Sequence, residues 1–482
     1  MSKIKLSHYK DLPIEMHKVR TVQKLTLLPI DERVKAIEGA GFNSFLLRNK
    51  DVFLDMLTDS GTNAMSDLQI AAMMRPDDAY SGSETFYRLE KSVQDFFGTK
   101  FFLPTHQGRA CENIIAQVYV KPGQITPMNY HFTTTKAHIS ARGGIVDEIY
   151  SEEAININSE CNFKGDIDMG KLKALVAKEG VEKISFVRIE LGTNLIGGQP
   201  ISLKNMKEIK KFCVEKGLMV VMDVSLLADN LYFIKTKEKE YQNMEIGAIV
   251  REIAKCGDIL YFSARKLGCA RGGGIAMFEE KYFMHMRDLV PFYEGFITYG
   301  GMSTREMEAI AVGLEETLDF EMINQGPEFI AAFGKELQSF GVPIVTPVGG
   351  LGCHIDARAF LDHVPSGEYP AASLIAAIYI TCGCRGMERG TVSEDRNPDG
   401  TDHIASVELV RLALPRRVFT LSQIKFAADR IGWLYKNRKL IGGLEFTEEP
   451  KVLRFFVGRL APKTPWTEKL VKKFKEDFGD SL

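Results

Sequence analysis

The sequence predicts an α/β protein built on a largely parallel sheet, followed by a smaller α+β domain. Short apolar runs recur at residues 218–222 and 259–262, rich in Val, Ile, Leu and aromatics and ending on the polar Asp223 and Ser263, as buried strands do. A helical pattern at 204–216 precedes the first of them, which is the rhythm of β–α–β units. After about residue 325 the rhythm changes, and the stretches Val342-Pro343-Ile344-Val345-Thr346-Pro347-Val348-Gly349-Gly350 and Arg411-Leu412-Ala413-Leu414-Pro415 suggest antiparallel strands.

Taken in order, residues 31–41 read as a short helix stopped by glycine. Residues 57–67 are packed with small hydrogen-bonding groups, so turns are their default reading and a ligand-facing loop the rival. Lys100-Phe101-Phe102-Leu103 is strand-like, and Pro104-Thr105-His106-Gln107-Gly108-Arg109 turns into a periodic helix at 110–120. A strand, a glycine turn and a helix start form an anion site, because free backbone N–H groups and the helix dipole point outward and Arg109 adds charge. Every α/β unit has such turns, so this signal alone is weak. Further strands are expected at 183–189 and at 274–278, and residues 463–482 form a charged amphipathic helix at the surface or a subunit contact. No internal repeat is evident.

Composition narrows the function. The chain has 482 residues, enough for two or more domains. Sixty-one basic against 63 acidic residues leave a net charge of −2, which gives no field for nucleic acid or an acidic membrane. The start, Met1-Ser2-Lys3-Ile4-Lys5-Leu6-Ser7-His8-Tyr9, lacks the apolar core of a secretory signal, and no run elsewhere is long enough to span a bilayer. The eight cysteines follow neither a zinc pattern nor a disulfide framework, and the close pair Cys382-Gly383-Cys384 reads as a half-buried strand or turn. A reduced, cytoplasmic protein is expected.

Two strand ends carry chemistry. Asp258-Ile259-Leu260-Tyr261-Phe262 runs into Ser263-Ala264-Arg265-Lys266 and the loop Gly268-Cys269-Ala270-Arg271-Gly272-Gly273-Gly274; residues 218–223 end on Asp223. A lysine at the mouth of a buried sheet is a solvated strand-end residue or a Schiff-base nucleophile. Parallel sheets collect ligands at the carboxyl ends of their strands. An acid and a lysine delivered there suit pyridoxal phosphate: the lysine forms the imine, and the acid keeps the ring nitrogen protonated.

Longer motifs carry a resemblance. Thr58-Asp59-Ser60-Gly61-Thr62-Asn63-Ala64-Met65-Ser66-Asp67, Ala79-Tyr80-Ser81-Gly82-Ser83-Glu84, Pro104-Thr105-His106-Gln107-Gly108-Arg109, Asn194 through Gly197-Gly198-Gln199-Pro200, and Tyr299-Gly300-Gly301 resemble the β-eliminating lyases, the tyrosine phenol-lyase and tryptophanase family. The likeness runs from Leu57 to about Arg459. It implies fold type I, aspartate aminotransferase-like, with a seven-stranded mostly parallel sheet, and a homotetramer of paired dimers. It divides the chain into an arm with part of the small domain (1–55), a large cofactor-binding domain (56–325) and a small C-terminal domain (326–482).

The resemblance also implies roles. Lys266 binds pyridoxal 5'-phosphate and removes the substrate α-proton, Asp223 pairs the ring nitrogen, and Phe132 stacks on the ring. Gln107, Gly108, Arg109 and Ser263 match the phosphate cradle. Asn194 matches the donor to the phenolic oxygen. Arg411, Thr58 and Ser60 match the grip on the substrate carboxylate, for which a bidentate guanidinium is suited. Tyr80, from the partner subunit in the family, matches the group that protonates the leaving ring, and Tyr299 a further active-site tyrosine.

Within the family the chain sides with the phenol-lyases. Met387-Glu388-Arg389-Gly390 carries an arginine for the phenol hydroxyl with Thr133 as companion, and Phe455-Phe456 is the double phenylalanine. The implied reaction is β-elimination of tyrosine or a related phenolic amino acid to phenol, pyruvate and ammonia.

The chain departs from the pattern near the cofactor. Leu226 stands where the family has an arginine, Leu267 where it has an aspartate, and Leu351 where it has a histidine. At the potassium position formed by Gly61, Asp78 and Arg271, Asp78 replaces a glutamate, and a guanidinium is a candidate substitute for the ion. These departures leave a second reading open, another pyridoxal phosphate reaction on an unusual aromatic amino acid: a different elimination or replacement, a retro-aldol cleavage or a deamination. A third is a cofactor-binding assembly partner without catalysis.

Overall fold

A computed structural model describes Ser7, residues 12–397 and residues 399–482. Apart from Ser7, the opening segment read above for a secretory signal lies outside the described residues. The chain forms two compact units. One is Asp59–Asn324; the other joins the described part of Met1–Thr58 to Gln325–Leu482.

The Asp59–Asn324 unit is organised by a seven-stranded sheet: β1 (Phe101–Thr105), β2 (Ile125–Met128), β3 (Ile145–Glu148), β4 (Val187–Glu190), β5 (Val220–Asp223), β6 (Ile259–Ser263) and β7 (Gly273–Met277). Their spatial order is β1-β7-β6-β5-β4-β2-β3. Only β7 runs against its neighbours β1 and β6; the other pairings are parallel. Every residue of β4, β5, β6 and β7 is buried, as expected of strands covered by helices on both faces.

Local chemistry fixes the flanking helices. Ser83 caps Glu84–Phe97 by accepting from the Phe86 N–H, and the helix closes on Gly98 at φ 76°. Ser202 caps Leu203–Lys216, which ends on Gly217 at φ 68°. Both glycines take the left-handed conformation that other residues adopt at a cost.

The strand expected over 183–189 starts later. A 3-10 turn occupies Val181–Lys183, Ile184 makes only an isolated bridge to Ile125, and the Ser185 hydroxyl donates to the Ile125 carbonyl, so the ladder is regular only from Val187. The Cys382–Cys384 pair is fully buried rather than half-buried: Cys382 ends the helix Pro370–Cys382, Gly383 turns at φ 66°, and Cys384 pairs in parallel with Leu54.

In the other unit, three antiparallel strands, β8 (Gly352–Asp356), β9 (Met387–Arg389) and β10 (Leu409–Ala413), lie in the order β9-β10-β8. The apolar helix Pro370–Cys382, buried along its whole length, belongs to the same core. Residues 342–350 contribute only the bridge Ile344–Ile355 to the expected strand, since Pro343 and Pro347 lack the N–H a ladder needs. The tail forms the helix Trp466–Phe478, whose Trp466, Leu470 and Phe474 join this core while its lysines stay in solvent.

Beside Arg389 this unit buries two acids. A Cβ on Gly390 would lie 2.1 Å from Glu408 Oε2 and 3.0 Å from Glu388 Oε1, so both carboxyls crowd one glycine. Glu388 accepts from the Ser393 hydroxyl at 2.6 Å, and Glu408 from the Thr391 N–H at 2.9 Å. Burial, and then the charge of Glu408, push the Glu388 carboxyl up to about 8. Folding therefore takes up a proton at this site. Its stabilisation is complete below the unfolded value of about 4.3 and is lost as pH rises toward the folded value. The midpoint of thermal unfolding should fall between pH 5 and pH 8 by roughly 2–4 °C per kcal/mol lost, and this slope should flatten in Glu388→Gln. An unchanged slope in the variant would show that the carboxyl pair does not control it.

Candidate active site

The candidate residues fall on both units, and each set is described by itself. In the Asp59–Asn324 unit they gather at the carboxyl ends of β2, β4, β5 and β6. The sheet order reverses between β2 and β4, the kind of place where open α/β sheets bind ligands. Asn129 ties that point together: its amide donates to the carbonyls of Gly165 and Glu190, and its oxygen accepts from the Glu190 N–H.

Lys266 follows β6 by three residues in a turn closed by the Lys266 N–H on the Ser263 carbonyl. Its Nζ sits 5.3 Å from the centre of the Phe132 ring, which ends the loop after β2. Asp223 ends the neighbouring β5, opposite Tyr261 of β6. Asn194, buried, opens a short turn after β4, and its N–H donates to Glu190 Oε1 at 3.2 Å. Thr133 starts the helix Thr133–Ala141, and its buried hydroxyl has no hydrogen-bond partner among the described residues.

The helix α1 (Gly108–Tyr119) begins on the same side. Its first turn receives no side-chain cap from Gln107, so its N–H groups point outward beside Arg109. A Cβ on Gly108 would lie 3.0 Å from the Ser263 Cβ, and one on Gly273 would lie 2.6 Å from the Phe262 carbonyl. Only glycine lets the helix start seat against the ends of β6 and β7. Ser263 in turn donates its N–H to Ser225 Oγ. An uncapped helix start, an adjacent guanidinium and two nearby hydroxyls fit a phosphate; a lysine over an aromatic ring and a strand-end acid fit the rest of pyridoxal phosphate.

Tyr299 and Tyr80 lie edge to face at 5.7 Å, and Tyr80 is 76% exposed. Gly300 presses on the Pro104 carbonyl, where a Cβ would be 2.1 Å away, which places Tyr299 beside the cradle loop. The loop of Ser60 and Gly61 is held to the Lys266 turn: the Gly61 N–H donates to the Arg265 carbonyl at 2.9 Å. Asp78 accepts from the Thr304 hydroxyl at 2.5 Å and is exposed, as is Arg271. Among the described residues no cluster of three His, Cys, Asp or Glu side chains could hold a metal ion.

In the other unit Arg389 and Arg411 are 4% and 2% exposed. Arg411 on β10 faces Met387 of β9 and His354 of β8, and it donates to the Leu57 carbonyl, next to Thr58, at 2.8 Å. The Arg389 guanidinium lies 5.9 Å from the Phe455 ring, and Phe455 packs on Phe456 with centroids 4.0 Å apart.

Sequence reasoning missed a group beneath Asp223: Arg188 and Glu190 of β4, Tyr261 of β6 and Glu112 of α1, each no more than 6% exposed. The signal was present. A strand that reads Val187-Arg188-Ile189-Glu190 puts two opposite charges on one face of a buried sheet, where unpaired charges are not tolerated.

The sequence profile of the β-eliminating lyases matches residues 55–430. The chain is 42% identical over 457 residues to the tyrosine phenol-lyase of Fusobacterium nucleatum, covering 94% of this chain and 99% of that one. It is 41% identical over 450 residues to that of Symbiobacterium sp., covering 93% and 98%. Among solved structures, serine palmitoyltransferase from S. paucimobilis aligns at a TM-score of 0.56 and 12% identity, covering 81% of this chain and 89% of that one. Threonine aldolase from Leishmania major aligns at 0.56 and 14%, covering 79% and 99%; these distant structures share the fold. The sheet, the strand-end acid and lysine, and the near-complete alignment agree: the chain belongs to the β-eliminating lyase family.

Proposed function

We propose that the chain is a pyridoxal phosphate-dependent carbon–carbon lyase that converts tyrosine, or a closely related phenolic amino acid, and water to phenol, pyruvate and ammonia. The observation that carries this reading is the placement of Asp223 and Lys266 at the ends of neighbouring parallel strands, with Phe132 against the lysine, in a chain so similar to tyrosine phenol-lyases. Bound there, the cofactor supplies an imine to the substrate amine and a ring that accepts the electron pair released at Cα.

This chain's residues do the rest. The N–H groups at Gln107 and Gly108, with Arg109 and Ser263, hold the phosphate, while Asp223 holds the ring nitrogen and Phe132 one face of the ring. Lys266 Nζ takes the α-proton. Arg411, with Thr58 and Ser60, binds the carboxylate. By the family resemblance Asn194 would donate to the phenolic oxygen of the cofactor, and Arg389, with Thr133 as companion, would bind the phenol hydroxyl of a substrate whose ring meets Phe455 and Phe456. Tyr80, with Tyr299 beside it, gives a proton to the ring carbon that leaves. The unpartnered Thr133 hydroxyl supports its role, since a buried polar atom without a partner is costly unless a ligand meets it.

For the potassium position formed by Gly61, Asp78 and Arg271, the reading is that a guanidinium replaces the ion. Arg265 packs on Gly61, where a Cβ would lie 2.8 Å from its Nη2. Burial, and then the nearby Arg271, already disfavour charge on Arg265, so a further cation there would be repelled. A homotetramer with Tyr80 offered to a partner subunit fits the exposed Leu68, Met74 and Tyr80, and a cytoplasmic location fits eight cysteines of which none forms a disulfide among the described residues.

A second reading, another reaction on an unusual aromatic amino acid, draws support from Leu226 and Leu267, both buried and uncharged beside the proposed ring. Incubation with L-tyrosine separates the two: phenol and pyruvate in equal amounts are expected, and a cofactor spectrum that responds to tyrosine without phenol release would favour the second. Lys266→Ala should lower kcat by about 10²–10⁴-fold or more, as loss of a general base does. Arg389→Met should raise KM for tyrosine far more than for an amino acid with a non-phenolic leaving group; equal effects would remove Arg389 from the phenol site. Replacing sodium by potassium should leave kcat within about twofold, whereas a loss of 1.4 kcal/mol would read as tenfold. Strong activation by potassium would restore the ion to its site.

A further inference from the structure

Beneath Asp223 lies a buried charge cluster that spans three neighbouring strands. Glu190, Asp223 and Tyr261 stand side by side in register on β4, β5 and β6. Arg188, two residues before Glu190 and on the same face of β4, reaches all of them. Its Nη1 donates to Glu190 Oε2 and its Nη2 to Asp223 Oδ2, each at 2.9 Å. Nε and Nη2 also donate to the Tyr261 hydroxyl, at 3.0 and 2.8 Å. That hydroxyl donates to Glu112 Oε1 at 3.4 Å, and Glu112 accepts from Thr134 and Thr135. The other Asp223 oxygen accepts from the Ser225 N–H at 3.0 Å. Arg188 is 1% exposed and Asp223 7%.

One guanidinium faces two carboxyls at equal distance, and a third, Glu112, lies one hydroxyl away. Burial pushes Glu112 and Glu190 up toward their neutral forms. Burial opposes the charge on Arg188, but Tyr261, Glu190 and Asp223 outweigh it and keep the guanidinium cationic. The Cys111 thiol, packed nearby, is pushed far up by burial and stays neutral.

We propose that Arg188 is a positioning residue for the cofactor ring: its fork fixes Asp223 in one orientation, with one carboxyl oxygen on the guanidinium and the other on the Ser225 N–H, so that the acid is held in place for a protonated ring nitrogen. The inference rests on the cofactor reading given above. Arg188 touches neither cofactor nor substrate; it acts through Asp223. A lysine would replace it only in part, because one ammonium does not bridge Glu190, Asp223 and Tyr261 in a plane.

The test is cofactor affinity. Apoprotein is titrated with pyridoxal phosphate and with its analogue in which CH replaces the ring nitrogen, following the visible band of the lysine-bound form. Arg188→Met should weaken binding of pyridoxal phosphate by roughly 10–100-fold, the loss of a charge-assisted hydrogen bond. Binding of the CH analogue, which has no ring nitrogen to lose, should change by less than about threefold on the same scale. Equal losses for both ligands, or none, would overturn the proposal, since a merely structural role weakens both alike. Should Arg188→Met fail to fold, Arg188→Lys carries the same comparison, with a smaller but still selective loss. A wild-type protein that forms no visible band with either ligand would overturn the cofactor reading itself, and this inference with it.

Discussion

One guanidinium joins the carboxyl ends of three adjacent strands. Arg188 binds Glu190 on its own strand, Asp223 on the next and Tyr261 on the one beyond, all out of solvent. A charge so deeply buried is tolerated only when its partners are in place, and removing one partner of such a pair costs about 3–5 kcal/mol. The strand ends are therefore held in one register by electrostatics as well as by their backbone ladders. Asp223, the acid proposed to meet the cofactor, and the loop that carries Lys266 both hang from that register.

The rest of the candidate site follows from close backbone approach. Gly108 and Gly273 let the start of α1 seat on the ends of β6 and β7, and Gly300 does the same for Tyr299 against Pro104. Each closes a gap that a single methyl group would hold open. The result is a rigid floor with an uncapped helix start, a lysine above an aromatic ring and an acid behind it. Rigid placement of this kind is what lets a protein orient a reactive group without reorganising during the reaction. In the other unit Arg389 and Arg411 are comparably fixed, buried among Met387, Phe455 and the Leu57 carbonyl.

Much of this was legible in the sequence, for identifiable reasons. The strands at 220–223 and 259–263 are short and apolar up to their polar last residues, Asp223 and Ser263, so their pattern has one sensible reading. Lys266 and Asp223 stand out because charges at such ends are rare. The strand start near Val187 was not legible, because nothing local distinguishes Ile184, which makes a lone bridge, from the ladder residues after it. Residues 342–350 misled through their β-branched side chains, while their prolines decided the outcome. Arg188 and Glu190 were visible as an anomaly in an apolar strand. The partners of Arg188, Asp223 and Tyr261, lie 35 and 73 residues away from it in sequence, and only the sheet order brings them together.

Pyridoxal phosphate is expected to be bound through Lys266 above this floor. Borohydride reduction of the cofactor-loaded protein, followed by proteolysis and mass spectrometry, tests it most directly. The modified residue is expected to be Lys266, in near-stoichiometric yield, with no other lysine labelled. Label on a different lysine, or none on a protein that has taken up the cofactor, would contradict the assignment of the site.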